Sequence, residues 1–296
     1  EVLATRYNQA VLKNNPDIDA LHFYVKAKHR EAGESVMAIY WQRMRMLWQL
    51  RQRKFDVVII AGGHSNSAMR LARAIKPGRI VLLDEADTLA GDNEVEKCCH
   101  LLRHLGLAYE TPAPCVMADP TEVATLRGKL NLANGKPVIG LHISARKPSQ
   151  RWSAENFAEL ARHVQGSRPD AQFLLFWAPG SENNPLHPGD DEKAAHVLAH
   201  TQAIAIHPVA THRVEELIAA LSLCHVVVCA DGGAMHLAAG LGKPIVCFFG
   251  ESDTQRWHPW GVPYELLQPA NRNVATLPVE TVQAALQRLM TTHVSS

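Results

Sequence analysis

Short apolar runs alternate along this chain with longer stretches whose apolar residues recur every three or four positions, the rhythm of strands followed by helices. The clearest strands are residues 55–60, 137–142, 172–177 and 226–229, and further strands are predicted over 2–4, 20–25, 79–83, 203–206 and 245–249. Helices are predicted over 35–54, 66–75, 93–107, 119–132, 153–164, 234–240 and 278–290, with another begun by Thr211. Asp119 before Pro120, and Ser153, are the residue types that cap helix starts. Gly106 is the type that ends one. Strand and helix alternate throughout, which makes an α/β protein with parallel, doubly wound sheets.

Residues 109–120 hold three prolines and no periodicity, so a linker is expected there. It divides the chain into an N-terminal Rossmann-like domain, 1–115, and a C-terminal one, 116–296. The last helix is expected to pack back on the body, against the N-terminal domain. A doubly wound domain opens with a strand and a glycine turn, whereas this sequence enters a helical pattern at residues 6–14. The first strand and helix of that domain are therefore expected to be absent from this numbering.

The 296 residues give each domain ample material for a core. A net charge of +1 makes no case for nucleic acid, and no apolar run is long enough to span a bilayer. The six cysteines form no C-x-x-C pair, as expected of reduced thiols in a cytoplasmic protein. The helix over 35–54 carries Met37, Trp41, Met44 and Trp48 at helical spacing, and residues 42–54 hold five basic residues and no acid. Those charges read as a solvated outer face, the preferred reading, or as a peripheral contact with an anionic membrane surface. No G-x-G-x-x-G follows any strand, which argues against a nicotinamide-dependent dehydrogenase.

Residues 226–250 concentrate the chemistry. A buried strand runs straight into Asp231-Gly232-Gly233, a short helix follows, and a second strand closes the unit. Two glycines let the backbone turn sharply and approach a ligand. The helix N-terminus offers unpaired N–H groups of Gly232, Gly233 and Ala234 to a phosphate. A carboxylate beside an anion site repels phosphate, so Asp231 is expected to grip hydroxyls next to it. Hydroxyls beside phosphates suggest a nucleotide sugar. His236, on the first helical turn, is expected to donate to a phosphate or ribose oxygen, or else to pack under the helix. The loop 143–152 combines Ser144 with Arg146, Lys147 and Arg151, suited to the far side of a diphosphate. Glu251, Ser252 and Thr254 follow another strand and are aimed at the same crevice. In the first half, His64, Ser65, Asn66 and Asp84 follow strands and are candidates for the acceptor side.

Asp231-Gly-Gly-Ala-Met-His-Leu-Ala-Ala-Gly-Leu-Gly-Lys-Pro-Ile-Val-Cys-Phe-Phe-Gly250 resembles the D-T/S-G-x-x-H-x-A-A-x-L-G-x-P-x-x-x-x-F-G signature of glycosyltransferase family 9, the ADP-heptose:lipopolysaccharide heptosyltransferases and their relatives. The segment from Asn93 also resembles the family's H-E-V-E…L-L-x-x-L-G-L, with Asn93 in place of His. The resemblance implies a GT-B fold, two Rossmann-like domains facing a central cleft. It also implies inverting, metal-independent transfer of a heptose from an ADP-sugar to a lipopolysaccharide-core or other glycan acceptor, without a cofactor. It places Glu182, in a G-x-x-E turn, near the nucleotide. Gln150 stands where the family has the lysine of K-x-W, so the cation must come from Arg146, Lys147 or Arg151. Glu251 replaces a usual proline. The family's catalytic aspartate follows the first N-terminal strand, so no residue here matches it and the catalytic base is unknown. Rival readings are a GT-B enzyme using a UDP-sugar, as an epimerase or hexosaminyltransferase, and a non-catalytic bilobal sugar-binding protein.

Overall fold

The computed structural model describes residues 1–25, 35–62, 65–83, 91–184 and 188–293. They divide into two compact units, Glu1–Pro112 and Ala113–Ser296. His64, Asp84 and residues 185–187 lie outside the described residues.

The first unit is made of strand–helix–strand repeats. Strand β1 (Val2–Thr5) leads through α1 (Gln9–Leu12) to β2 (Leu21–Tyr24), and the two strands pair in parallel, Val2 opposite Leu21. Helix α2 (Val36–Gln52) packs on β2 and on α3. Strand β3 (Val57–Ile60), α3 (Asn66–Ile75) and β4 (Arg79–Leu82) form the second repeat, again parallel, with Val57 opposite Arg79. Gly78 is glycine because a Cβ there would lie 2.9 Å from the Asp56 carbonyl oxygen. Helix α4 (Glu94–His100) starts with a reciprocal cap: Val95 N–H donates to Asn93 Oδ1 at 2.9 Å, and Asn93 N–H to Glu96 Oε2 at 3.0 Å. A 3-10 turn, Leu101–Leu105, ends at left-handed Gly106. Val81, Leu83 and Leu101 form a small core over this repeat.

The second unit opens with α5 (Pro120–Leu130), whose Asp119 cap accepts from Thr121 N–H at 3.0 Å. Then follow β5 (Val138–His142), α6 (Ala154–Ser167), β6 (Gln172–Trp177), α7 (Asp191–Ala199), β7 (Ile206–Ala210), α8 (Val214–Leu223), β8 (Val226–Ala230), α9 (Gly233–Gly240), β9 (Ile245–Phe248), α10 (Thr254–Trp257), β10 (Tyr264–Leu267) and α11 (Val279–His293). The six strands make one parallel sheet in the order β7-β6-β5-β8-β9-β10. The chain builds outward from β5 to β7, then returns to the middle and builds outward the other way. The direction therefore reverses between β5 and β8, and a crevice opens at their carboxyl ends, where such folds bind ligands.

Alternation along the strands explains the two helix layers. Ile139, Leu141, Phe173, Leu175, Val226, Val228, Val246 and Phe248 join the core made with α6, α7 and α11. The intervening residues face the layer of α5, α8 and α9. Gly140 is one of these; a Cβ there would sit 2.7 Å from Cys224 Sγ and 2.9 Å from Phe176 Cζ, so α8 can approach the sheet only over a glycine. Cys224, Cys229 and Cys247 are buried free thiols, and Cys115 is exposed. Burial pushes the Cys224 thiol up to about 12. Helix α11 packs on α6 and on β8, β9 and β10 of its own unit.

Two predicted elements start elsewhere than the sequence-based expectation puts them. The strand placed at 203–206 lies at Ile206–Ala210, a run that contains Pro208. Proline cannot donate to a ladder, but β7 is an edge strand, where that loss is tolerated. Thr211 does not begin α8; its hydroxyl donates to the Trp177 carbonyl at 2.8 Å, and the helix starts after Arg213, whose N–H donates to Glu216 Oε2. The apolar stripe of α2 does not face the core: Met37 is 79 % exposed, Trp41 75 %, Met44 61 % and Trp48 64 %, while Ile39 and Leu50 are buried. Among the described residues, no helix is long and apolar enough to cross a membrane.

Candidate functional site

The crevice between β5 and β8 is lined by the loops that leave four strands. After β8 the chain is fixed by a hydrogen bond from Asp231 N–H to the Phe248 carbonyl, 2.8 Å, and turns at once into α9. The N–H groups of Met235 and His236 reach back to the Gly232 carbonyl at 3.1 and 3.4 Å. Those of Gly233 and Ala234 have no acceptor inside the helix, and no side chain caps them. A Cβ at Gly232 or Gly233 would meet no atom within 4 Å. Open space lies in front of this helix end, so protein packing is not what requires glycine there.

The loop after β5 is tied down on both sides. Trp152, packed against Phe157 and Phe248, donates its indole N–H to the Leu277 carbonyl at 2.9 Å and anchors the loop's end in the core. Gln150 is 4 % exposed; its Nε2 donates to Asp231 Oδ2 at 2.7 Å and to Ser252 Oγ at 3.0 Å. Lys147 Nζ donates to the same Ser252 Oγ at 3.1 Å. A single hydrogen-bonded chain thus runs from Lys147 through Ser252 and Gln150 to Asp231, one residue before the α9 cap. Ser252 is held in turn by Gln268, whose Nε2 donates to the carbonyls of Gly250 (2.7 Å) and Ser252 (3.2 Å). Gly250 lets the two loops meet, since a Cβ there would lie 2.5 Å from the Ser149 carbonyl oxygen.

Of the three sequence-predicted cations, Lys147 is the one joined to this chain. Arg151 Nε donates to the Ala145 carbonyl at 3.0 Å and braces its own loop, and Arg146 is exposed. Ser144 Oγ accepts from Ala178 N–H at 2.9 Å, linking the loops after β5 and β6; its own hydroxyl proton stays available for donation. Asp191 fastens the second of those loops, accepting from Trp177 Nε1 at 2.7 Å and from Gly180 N–H at 2.9 Å. Glu182 and Glu251 are exposed on the flanking loops. His236 is open to solvent at the start of α9, its ring edge-on to Trp257 at 6.1 Å. Surrounding protein lowers its pKa and Asp231 opposes that shift. Ser65 and Asn66 belong to the first unit, at the start of α3; Ser65 Oγ accepts from Ala68 N–H at 3.4 Å and is the helix cap.

Two groups at the end of β5 escape a reading of the sequence. Lys193, on α7, donates to the Ile143 carbonyl at 2.8 Å and lies 5.2 Å from the Phe157 ring. Burial lowers its pKa to about 8, with nearby Asp190 working the other way. His142 Nδ1 is buried without a hydrogen-bond partner. Burial, helped by Lys193, takes the His142 pKa down to about 4, so the ring is neutral near pH 7. Nothing in the sequence near residue 193 signals this, because α7 itself is not evident there. Among the described residues, no group of three or more His, Cys, Asp or Glu side chains is placed to hold a metal ion.

A crevice built of a carboxylate held at the start of an uncapped helix, with a lysine on the opposite loop, suits a ligand carrying both hydroxyls and phosphates. The model of glycosyltransferase family 9 (heptosyltransferase) matches residues 43–282. The chain belongs to glycosyltransferase family 9. It is a glycosyltransferase, and its α/β architecture is the GT-B type of that family. It is similar to lipopolysaccharide heptosyltransferase 2 of Salmonella typhimurium strain LT2, 24 % identical over 271 residues that cover 85 % of this chain and 74 % of the relative. Among solved structures, a glycosyl transferase family 9 protein from Veillonella parvula superposes with a TM-score of 0.76 at 18 % identity, covering 98 % of this chain and 87 % of that one. The ADP-heptose lipopolysaccharide heptosyltransferase II of E. coli gives 0.72 at 17 % identity, covering 99 % and 89 %. Trp152, two residues after Gln150 in the same turn, is a core anchor.

Proposed function

We propose that this family 9 glycosyltransferase transfers a heptose from an ADP-linked donor to a lipopolysaccharide-core acceptor, with inversion at the anomeric carbon. The acceptor hydroxyl oxygen attacks that carbon and gives its proton to a general base. The bond from the anomeric carbon to the β-phosphate oxygen breaks, and ADP leaves with the extra negative charge. The observation that carries the reading is Asp231, held by Gln150 at 2.7 Å one residue before the uncapped start of α9. In this reading the N–H groups of Gly232, Gly233 and Ala234 and the Lys147 ammonium stabilise the departing diphosphate without a metal ion. Asp231 accepts from sugar hydroxyls, His236 donates to a phosphate or ribose oxygen, and Ser144 donates from the β5 side. Arg146 and Arg151 add positive potential, while Glu182 and Glu251 flank the nucleotide. His64, Ser65 and Asn66 belong to the acceptor side. The protein works in the cytoplasm, peripheral on the inner face of the inner membrane, where its acceptor is anchored.

Thermal-shift measurements with ADP, ADP-heptose, UDP-sugars and GDP-sugars test this. ADP and ADP-heptose are expected to stabilise most. Gly233→Val is the decisive variant: its side chain enters open space, so it should melt like the parent yet lose the ADP-dependent shift. Stabilisation by uridine nucleotides alone would overturn the reading.

A further inference from the structure

Helix α2 is apolar on two sides. Ile39 and Leu50 are buried on the side packed against β2 and α3. On the other side Met37, Trp41, Met44 and Trp48 are all more than 60 % exposed, and Tyr40 is 52 % exposed. At about 100° per residue the first four fall within an arc of roughly 60°, a continuous stripe down the helix. Arg51 and Arg45 flank the stripe on its two sides, both exposed. The other nearby arginines are spoken for: Arg43 donates to the Val25 carbonyl at 2.8 Å and lies over the Tyr24 ring, and Arg53 pairs with Glu1. No acidic residue occurs between residues 42 and 54.

Two exposed tryptophans on one soluble helix face are not a sequence accident of surface composition, because exposed large apolar groups in a contiguous patch mark a docking surface. The chemistry of the patch points to its occupant. Tryptophan and methionine between arginines match the boundary layer of a bilayer, where indole rings sit at headgroup depth and guanidinium groups meet phosphates. A protein partner would be answered by mixed charge on the rim, and here the rim that the helix itself supplies is cationic on both sides, with no acid among residues 35–54. We propose that the outer face of α2 docks on an anionic phospholipid bilayer. Trp41, Trp48, Met37 and Met44 enter the headgroup–acyl boundary, and Arg45 and Arg51 bind lipid phosphates. The inference deepens the peripheral membrane placement proposed above and assigns it to one surface.

Co-sedimentation of the full chain with vesicles tests it, using phosphatidylglycerol and phosphatidylethanolamine at roughly one to three, against phosphatidylcholine alone. The parent is expected to partition to the anionic vesicles, with tryptophan emission shifting to the blue, and to be released by high salt. Trp41→Ser with Trp48→Ser should lower partition by about tenfold or more. Arg45→Glu with Arg51→Glu should lower it further than loss of the two cations alone, each worth roughly fivefold near an anionic surface. Both pairs should keep the parent's melting temperature and its stabilisation by ADP-heptose, which separates this inference from the donor reading. Failure of the parent to bind anionic vesicles overturns the proposal. So does undiminished binding of the tryptophan variant, or a concentration-dependent dimer of the parent that Trp41→Ser abolishes.

Discussion

Replacing Gln150 by methionine tests the side-chain chain at the crevice more directly than any other single change. Methionine matches glutamine in length and volume, so the nearly sealed site keeps its packing and loses only its amide. Two hydrogen bonds disappear, one to the Asp231 carboxylate at 2.7 Å and one to Ser252 Oγ at 3.0 Å. A bond to a charged group contributes about 1.5–3 kcal/mol and a neutral one about 0.5–1.5. Asp231 is only half-buried, and water recovers part of the first. The net loss is then about 2–3 kcal/mol, or a fall of roughly 5–10 °C in melting temperature for a unit of this size. In the proposed donor reading the carboxylate, freed from Gln150, also loses its aim at the sugar, so ADP-heptose affinity should weaken by about tenfold or more. Calorimetric unfolding of the full chain, followed by titration with ADP-heptose, measures both. A double-mutant cycle with Asp231→Asn isolates the pair. A variant that melts within about 1 °C of the parent and binds donor as tightly refutes the reasoning, since the 2.7 Å contact would then contribute nothing.

Lys147→Met should weaken binding of ADP and ADP-heptose by roughly 10–100-fold while leaving adenosine binding unchanged, because only the diphosphate meets the ammonium; Arg151→Met should cost much less. Titration calorimetry with the three ligands distinguishes them, and equal losses for adenosine and ADP would contradict the assignment. The acid limb of stability reports on His142. Its folded pKa is about 4 against 6.5 for the free side chain, so the unfolded chain binds the extra proton in that window. Stability from this group is complete above pH 6.5 and is lost as the pH falls towards 4. His142→Phe should flatten the fall in unfolding free energy between those values by about 2–3 kcal/mol, read as the difference from the parent so that other titrating groups cancel. An unchanged slope would mean that the ring is not held neutral.

How far the sequence reveals the molecule depends on whether a residue's partners are local. The turn at Asp231-Gly232-Gly233 is legible because strand, glycines and helix all lie within one short stretch, and the parallel, doubly wound class follows from repeated strand–helix units. Strand β7 is obscured by Pro208, which only an edge position excuses. Strand β10, Tyr264–Leu267, is four residues with a glutamate among them and carries no pattern of its own; β9 beside it supplies the order. The outward stripe of α2 is invisible for a different reason. With apolar residues on both sides, helical spacing cannot say which side meets the core. Gln150 is the sharpest case. By sequence it is a lysine missing from a family motif, and its meaning rests on Asp231 and Ser252, 81 and 102 residues away.

The ties between loops carry a consequence for recognition. Ser144 holds Ala178, Gln150 spans Asp231 and Ser252, Gln268 holds Gly250, and Asp191 clamps Gly180. A cavity braced in this way behaves as a mould rather than a mitten. A matching guest meets little entropic resistance on entry, whereas a misfit cannot coax the walls aside. In the donor reading proposed above, discrimination among nucleotides then resides in the standing shape of the crevice, and loosening any one brace should broaden the range of guests before it abolishes affinity.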